Sequence, residues 1–450
     1  MKHAKAVPAQ ASLSGALSGV VKVPGDKSIS HRALILSSQA IGMSSITGLL
    51  EGEDVLRTAT ALQQMGVKIT RISADEWQVH GVGIGGLHEP EDILDMGNSG
   101  TSTRLLMGLL ASYPFVSIFT GDASLRKRPM RRVLEPLQQI GASNLSRSAE
   151  RLPLALQGAS LPIPLHYKLP VASAQVKSAL LLAGLNMPGK TIVEEPTPTR
   201  DHTERMLLAM GADIEIKNAE NSLRRISIKG FPNLKPMHWQ VPGDPSSAAF
   251  IIAAAAAIPG SSVTVENVNV NPLRMGFYAT LAEMGAEIIL HNEKIICGEE
   301  VADISIKGGV LKAVHCKAER AASMIDEYPI LAVLAANAEG VSHFEGLAEL
   351  KVKESNRLQA IFDGLQANSV AVEMGEDWLK IVGMPGKIPG GGKVVTHLDH
   401  RIAMSFLILG LFSKVAVSVD DTQMIDTSFP GFIKLLTYLG ANIALDNCGE

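Results

Sequence analysis

One short phrase returns six times along this chain of 450 residues and limits what it can fold into. Leu62-Gln-Gln-Met-Gly66, Leu137-Gln-Gln-Ile-Gly141, Leu207-Leu-Ala-Met-Gly211, Leu281-Ala-Glu-Met-Gly285 and Leu435-Leu-Thr-Tyr-Leu-Gly440 each lead into the next segment. A degenerate copy, Leu365-Gln-Ala-Asn-Ser369, fills the remaining gap. The final positions are spaced by 75, 70, 74, 84 and 71 residues, a longer period than solenoid repeats have. Each copy makes local sense. Apolar residues three apart pack one helix face, Gly takes a left-handed C′ position, and a strand of period two follows. Ser369 in that place predicts a local cost in stability. Six mixed α/β units fit two domains of three units each.

A second repetition marks the boundary. Val23-Pro-Gly-Asp26 returns as Val241-Pro-Gly-Asp244, each time followed by small residues and an apolar helix. The expected domains are 23–240, and 1–22 together with 241–450, with hinges near 22–25 and 240–244. The short strand before Val23 is then expected to pair with the C-terminal half. In the first copy Pro24 and Gly25 break the strand-like Val20-Val-Lys-Val23, and Ser28 or Ser30 can cap the following helix. Ser28 and Arg32, four apart, would share one helix face. With Lys27 and free helix N–H groups they make a site suited to phosphate or carboxylate. An ordinary capped helix with solvated charges is the competing reading. The second copy has Pro245 and Ser246 where the first has Lys27 and Ser28, so only the first keeps the anion-binding lysine.

Composition excludes several classes. With 46% hydrophobic and 19% charged residues the chain reads as an ordinary soluble globular protein. A net charge of −4 and 4% aromatic residues argue against nucleic-acid binding and base stacking. Cys297, Cys316 and Cys448 are odd in number and far apart, which fits neither a disulfide framework nor a zinc spacing. The N-terminus lacks a signal-peptide apolar core, and the longest apolar run, Ala248 to Ile258, is too short for a membrane span. A cytoplasmic location without membrane partners is expected.

Several turns at helix starts carry polar and charged residues. Asp95-Met-Gly-Asn-Ser-Gly100-Thr-Ser-Thr-Arg104 offers Asn98, Gly100 and Thr101 as donors, although a tight turn with a good cap explains it equally. Residues 126–132 include five basic side chains, of which Arg128, fixed before Pro129, is the one most restricted in direction. Ser173, Gln175 and Lys177 stand at the mouth of another apolar helix, and Thr199-Arg-Asp-His-Thr203 follows. Asp326 and Glu327 precede the apolar helix from Tyr328, a common placement for helix-dipole reasons alone. Lys353 and Arg357, four apart, are like charges that make sense on one face if an anion lies between them. His397 and His400 lack a third ligand cluster, so metal is discounted. Lys27, Arg32, Arg128, Lys353, Arg357 and Arg401 thus fall in both halves, each at a turn or helix start. Two facing sets of cations imply a small polyanion, or two anionic substrates, clamped between domains. Asp326 and Glu354 are the acid/base candidates, because nothing resembles a nucleophile–base triad.

The phrases VPGDKSISHRAL, GNSGTSTR, LRKRP, SAQVKSALLLAG, TRDHTE, DEYPILAV, VKESNRL, LDHRIAMSF and TSFPGF, in this order, resemble the EPSP synthase (3-phosphoshikimate 1-carboxyvinyltransferase) family from end to end. VPGDKSISHR, SAQVKSA and DEYPILAV are similar to its class II, bacterial branch. The resemblance implies a two-domain inside-out α/β barrel, the enolpyruvyl transferase fold. It has six βαβαββ repeats, three per domain, with helices inside and sheets outside. It implies transfer of the enolpyruvyl group of phosphoenolpyruvate to the 5-hydroxyl of shikimate 3-phosphate, releasing phosphate, with no metal or cofactor. By matching position it places Lys27, Gly100, Arg128 and Gln175 on the phosphoenolpyruvate phosphate, near Asn98, and Arg357 and Arg401 on its carboxylate. Ser28 and Arg32 fall on the shikimate carboxylate, and Ser173, Ala174 (through its backbone) and Arg200 on the 3-phosphate. Asp326 and Lys353 face the 5-hydroxyl, and Glu354 or Lys27 protonates C3.

Two positions depart from the pattern. Thr427 stands where many members carry a lysine, and Ala174 where many carry a second serine. The sister enzyme, UDP-N-acetylglucosamine 1-carboxyvinyltransferase, typically has a cysteine where this chain has Ala123. A non-catalytic binder of a phosphorylated metabolite would not need Lys27, Asp326, Glu354 and Arg357 together. A monomer acting on small molecules is expected.

Overall fold

The computed structural model describes residues 6–148, 150–218 and 223–445. Residues 1–5 and Cys448 lie outside the described residues. The chain divides into two compact units. One holds the described residues up to Pro24, then Pro242–Lys294 and those from Glu300 on; the other holds Gly25–Val241 and Ile295–Glu299.

Each unit carries three of the six four-stranded sheets found among the described residues. A single repeat shows the plan. Strand His166–Lys168 runs through helix Ala174–Ala183 to strand Lys190–Glu195, then through helix His202–Ala209 to the hairpin Ile214–Asn218 and Arg224–Lys229. The first two strands are parallel, and the hairpin adds two antiparallel partners. That is one βαβαββ repeat, with the crossover that parallel strands require. Two repeats borrow their first strand across the Val-Pro-Gly-Asp phrase. Ser18–Lys22 pairs in parallel with Ser262–Asn269, whereas His238–Gln240 pairs in parallel with Ile41–Thr47. Each phrase therefore follows the first strand of a repeat in one unit and leads into the first helix of the other.

Helices lie inside each unit and sheets outside. Every residue of helices Pro245–Ala257 and Tyr328–Ala336 is buried, as expected of helices apolar on all sides. Strand Arg151–Gln157 instead alternates between exposed and buried residues, the mark of a sheet wetted on one face. Each unit has its own hydrophobic core. Among the described residues no helix is long and apolar enough to cross a membrane.

The six recurring phrases share one backbone geometry. Gly66, Gly141, Gly211, Gly285 and Gly440 have φ between 89° and 109°, and Ser369 has φ 60°. A Cβ at Gly211 or Gly285 would meet nothing within 4 Å, so conformation rather than space explains glycine there. Ser369 adopts the same left-handed turn with a side chain, which costs an L-residue roughly 1–2 kcal/mol, partly offset by the entropy glycine loses. A Ser369→Gly protein is expected to be about 0.5–1 kcal/mol more stable. A urea midpoint equal to or below that of the parent would contradict this.

Candidate active site

In the unit containing Lys27, the helix Lys27–Ser38 starts one residue before Ser28, and its cap is Asp26, whose Oδ1 accepts from the Ile29 N–H at 2.8 Å. The expected serine caps are thus replaced by an aspartate, which leaves Ser28 in the first turn. Asp244 repeats the arrangement at the second phrase, accepting from the Ser246 N–H at 2.7 Å. Lys27 is ion-paired with Asp54. Arg32 is buried, donating from Nε to Thr203 Oγ1 and from Nη2 to Ser178 Oγ, both at 2.7 Å, and from Nη1 to the Ser28 carbonyl at 3.0 Å. Burial pulls the Arg32 guanidinium down to about 10, against the opposing pull of the Glu204 and Asp26 carboxylates, so it stays charged at neutral pH.

Between Lys27 and Arg32 in sequence lies His31, whose role was not apparent from the sequence. Its ring is buried, with Nδ1 2.8 Å from Thr58 Oγ1, and Nε2 has no hydrogen-bond partner among the described residues. Burial, and then the charges of Lys27 and Arg32, hold its pKa well below the ordinary histidine value. The imidazole is therefore neutral in the fold, while the unfolded chain takes up a proton below about pH 6.5. Protonation then favours unfolding, so stability should fall with pH below that value, by up to about 1.4 kcal/mol per pH unit for this one group. A His31→Gln protein should show a flatter stability profile between pH 7.5 and 5.5 by urea unfolding; an identical slope would remove His31 as the cause.

The turn before helix Gly100–Leu110 gathers residues from three separate elements. Ser99 caps this helix by accepting from the Ser102 N–H. Asn98 lies alongside, accepting from Arg128 Nη2 at 2.6 Å and donating to Asp122 Oδ2 at 2.6 Å. Arg128 is buried and reaches Ser124 Oγ at 3.3 Å as well, while its Nε has no hydrogen-bond partner among the described residues. Arg104, one turn into the helix, donates to Gln175 Oε1 at 3.0 Å, and Gln175 Nε2 donates to Thr101 Oγ1 at 3.1 Å. A Cβ on Gly100 would stand 2.8 Å from Arg104 Nη1 and 3.1 Å from Arg128 Nη1. Any side chain here would press on two guanidinium groups. Arg104 ends the stretch 95–104, and the sequence alone gives it no role.

Ser173 caps helix Ala174–Ala183 by accepting from the Val176 N–H at 3.4 Å, so Ala174 opens that helix. Lys177 does not belong at the helix mouth. It is fully buried, its Nζ 3.1 Å from Glu195 Oε1, 2.8 Å from Glu204 Oε1 and 3.1 Å from the Thr199 carbonyl. Thr199 in turn donates to Glu195 Oε2 from its N–H and its hydroxyl. This internal ion network holds the backbone just before Arg200, which is itself part-exposed.

In the other unit, Asp326 precedes helix Tyr328–Ala336. Its Oδ1 lies 3.1 Å from Lys353 Nζ and 3.1 Å from Arg357 Nη1. The anion between those two cations is thus a carboxylate of the protein. Lys353 and Arg357 do not share a helix face, because Lys353 is extended and the helix begins at Arg357 under the Asn356 cap. Arg357 is buried, pairing also with Glu354 and, through Nε and Nη2, with Asp399 at 2.8 and 3.3 Å. Burial alone would lower its pKa, but the Asp399, Glu354 and Asp326 carboxylates outweigh that and hold it above the ordinary arginine value. Asp399 also accepts from Ser355 Oγ at 3.0 Å and caps helix His400–Gly410 through the Arg401 N–H at 3.0 Å. Arg401 Nη1 donates to the Asp326 carbonyl at 3.0 Å. Thr427, in the short helix Gln423–Thr427, donates its hydroxyl to the Met424 carbonyl.

Two groups of anion-seeking side chains result, one in each unit, and a carboxylate held among cations in the second. A family model described as EPSP synthase (3-phosphoshikimate 1-carboxyvinyltransferase) matches residues 12–436. A 3-phosphoshikimate 1-carboxyvinyltransferase of Parvibaculum lavamentivorans is 54% identical over 429 residues, covering 95% of each chain. One of Paramagnetospirillum magneticum is 54% identical over 443 residues, covering 98% of this chain and 99% of its own. Among solved structures, EPSP synthase from Acinetobacter baumannii superposes with a TM-score of 0.86 at 43% identity, covering 98% of this chain and 100% of that one. The enolpyruvyl transferase NikO from Streptomyces tendae, at a TM-score of 0.78 and 17% identity, shares the fold.

Proposed function

This chain belongs to the EPSP synthase (3-phosphoshikimate 1-carboxyvinyltransferase) family, and we propose from that premise which of its residues carry the transfer of the enolpyruvyl group. The observation that carries the assignment is that three separate stretches of sequence, Asn98 to Arg104, Arg128 and Gln175, meet around the Arg104 and Arg128 guanidinium groups beside Gly100. We assign the phosphate of phosphoenolpyruvate to Arg128, Gln175, Lys27 and the uncrowded backbone at Gly100. Asn98 orients Arg128. Arg357 and Arg401 take the carboxylate of phosphoenolpyruvate. Ser28 and Arg32 take the carboxylate of shikimate 3-phosphate, and Ser173, the N–H of Ala174 and Arg200 its 3-phosphate. Free N–H groups at the start of helix Ala174–Ala183 suit that role.

The chemistry follows from charge and proton balance. The 5-hydroxyl oxygen attacks C2 of phosphoenolpyruvate while Asp326 accepts its proton, and Glu354 or Lys27 delivers a proton to C3. The resulting tetrahedral adduct expels phosphate as a proton leaves C3, which restores the enol double bond. Lys353, ion-paired with Asp326, lies beside the attacking oxygen. Cations on both substrates offset the repulsion between two polyanions, and positioning supplies much of the rate.

Purified protein given phosphoenolpyruvate and shikimate 3-phosphate without added metal should release phosphate, and should release none with UDP-N-acetylglucosamine as acceptor. Release only with the sugar nucleotide would overturn the acceptor assignment. A Lys27→Met protein should lose turnover; loss of affinity alone would point to a binding protein instead. We further propose a cytoplasmic monomer, expected to sediment as a single chain.

A further inference from the structure

We propose that His315, His343 and Glu345 form a binding site for one divalent transition-metal ion of the zinc class, on the outer face of a sheet and outside the residues assigned to the reaction. The two-residue strand His315–Cys316 pairs in parallel with Val341–Phe344, and His315 stands directly opposite His343 in that register. Neighbouring positions across a ladder put side chains on the same face, so the two imidazoles stack, with ring centroids 5.0 Å apart and planes within 16°. Glu345, two residues after His343, returns to the same face. Its Oε1 lies 2.9 Å from His315 Nε2 and 3.7 Å from His343 Nδ1. All three donor atoms fall within 4.8 Å of one another.

Those distances are what an ion would need. Zinc binds nitrogen and carboxylate oxygen at about 2.0–2.2 Å, so ligand atoms on a tetrahedron around it are about 3.4 Å apart. The observed 2.9 and 3.7 Å bracket that spacing, and small side-chain rotations suffice to close the site. Two imidazoles and one carboxylate favour zinc, nickel or copper over magnesium or calcium, which prefer oxygen alone. Glu345 supplies the one carboxylate oxygen beside the two imidazole nitrogens. Bonds to the ion take the place of the hydrogen bond between His315 Nε2 and Glu345 Oε1. Trp378 packs edge-on against His343, with centroids 5.5 Å apart, and fixes that ring from the side. His343 and Glu345 border a cleft of about 440 Å³, and His315 beside them is exposed, so an ion can enter from solvent.

An ion here would act as a staple. The short strand is otherwise held to its neighbour by few backbone bonds, such as His343 N–H to the Val314 carbonyl and Glu345 N–H to the Cys316 carbonyl, both 3.0 Å. Each of the two strands runs on at its C-terminal end towards an assigned segment, one to Asp326 and the other to Lys353 and Arg357. Zinc binding should therefore raise the melting temperature of the protein.

The test is calorimetric titration of the full-length, metal-free protein with zinc chloride in a non-chelating buffer, beside a thermal melt with and without zinc. One ion per chain is expected, undisplaced by a large excess of magnesium, together with a higher melting temperature. Loss of an outer-shell partner alone costs metal sites roughly 10–100-fold, so loss of a ligand in His343→Ala should weaken binding at least about tenfold. Glu345→Gln keeps the side-chain shape and should lose both tight binding and the thermal shift while melting normally without zinc. No stoichiometric binding, or equal affinity in Glu345→Gln and the parent, would overturn the site.

Discussion

An Asp326→Ala enzyme is expected to release phosphate about 10²–10⁴-fold more slowly than the parent, the loss usual when a positioned general base is removed. The surroundings of Asp326 make the experiment interpretable. Its carboxylate meets Lys353 and Arg357, but Arg357 keeps Asp399 and Glu354 as partners when Asp326 is gone. The guanidinium should therefore stay in place, and the loss should fall on kcat more than on KM. Asp326→Asn sharpens the point, because the amide keeps the shape and one acceptor but cannot take a proton. If both variants lose rate together, the proton transfer is responsible. A large rise in KM for phosphoenolpyruvate with kcat unchanged would mean that Asp326 only positions Arg357 and Lys353. An unchanged rate in Asp326→Ala would remove it from the mechanism altogether.

What the sequence disclosed, and what it hid, divides along the range of the interactions. The six Leu-to-Gly phrases were readable because a left-handed helix end is decided within a few residues. Even the exception at Ser369 was legible, since its backbone follows the same rule at a cost. Charge partners were not readable in this way. Lys177 looked like one more cation at a helix mouth, yet its partners Glu195 and Glu204 come from a later strand and helix, and only packing brings them round it. Lys353 and Arg357 looked like neighbours on one helix face, but Asn356 caps the helix between them and leaves Lys353 extended. Asp26 caps the first helix where a serine is expected, and aspartate before an apolar run is as good a cap signal. Arg104 and His31 each sit inside a motif, and nothing in the sequence names their partners, Gln175 and Thr58. Asp399 stands between two histidines, and its partner Arg357 is 42 residues away, beyond what sequence pattern discloses.

Asp399 is where the largest loss of stability is expected. It is fully buried and accepts from Arg357 Nε and Nη2, from Ser355 Oγ and from the Arg401 N–H that it caps. An Asp399→Ala protein deprives the buried Arg357 guanidinium of the carboxylate that meets both its Nε and Nη2, and breaking one side of a buried ion pair costs about 3–5 kcal/mol. Loss of the cap adds about 1 kcal/mol. Asp399→Asn separates the two, because the amide oxygen can still cap the helix while the charge is gone. Burial alone would raise the Asp399 carboxyl, but Arg357 outweighs it and holds the pKa below the ordinary aspartate value. A carboxyl depressed in the fold stabilises fully above its unfolded value, about 3.9, and the benefit is lost as pH falls through the folded pKa. The gap in unfolding free energy between the parent and Asp399→Asn should therefore be constant from neutral pH down to about pH 5 and narrow only in stronger acid. Urea unfolding at several pH values measures it. A gap below about 1 kcal/mol at neutral pH would mean that Glu354 and Asp326 alone satisfy Arg357. In that case Asp399 would serve the fold only as the cap of the helix that carries Arg401.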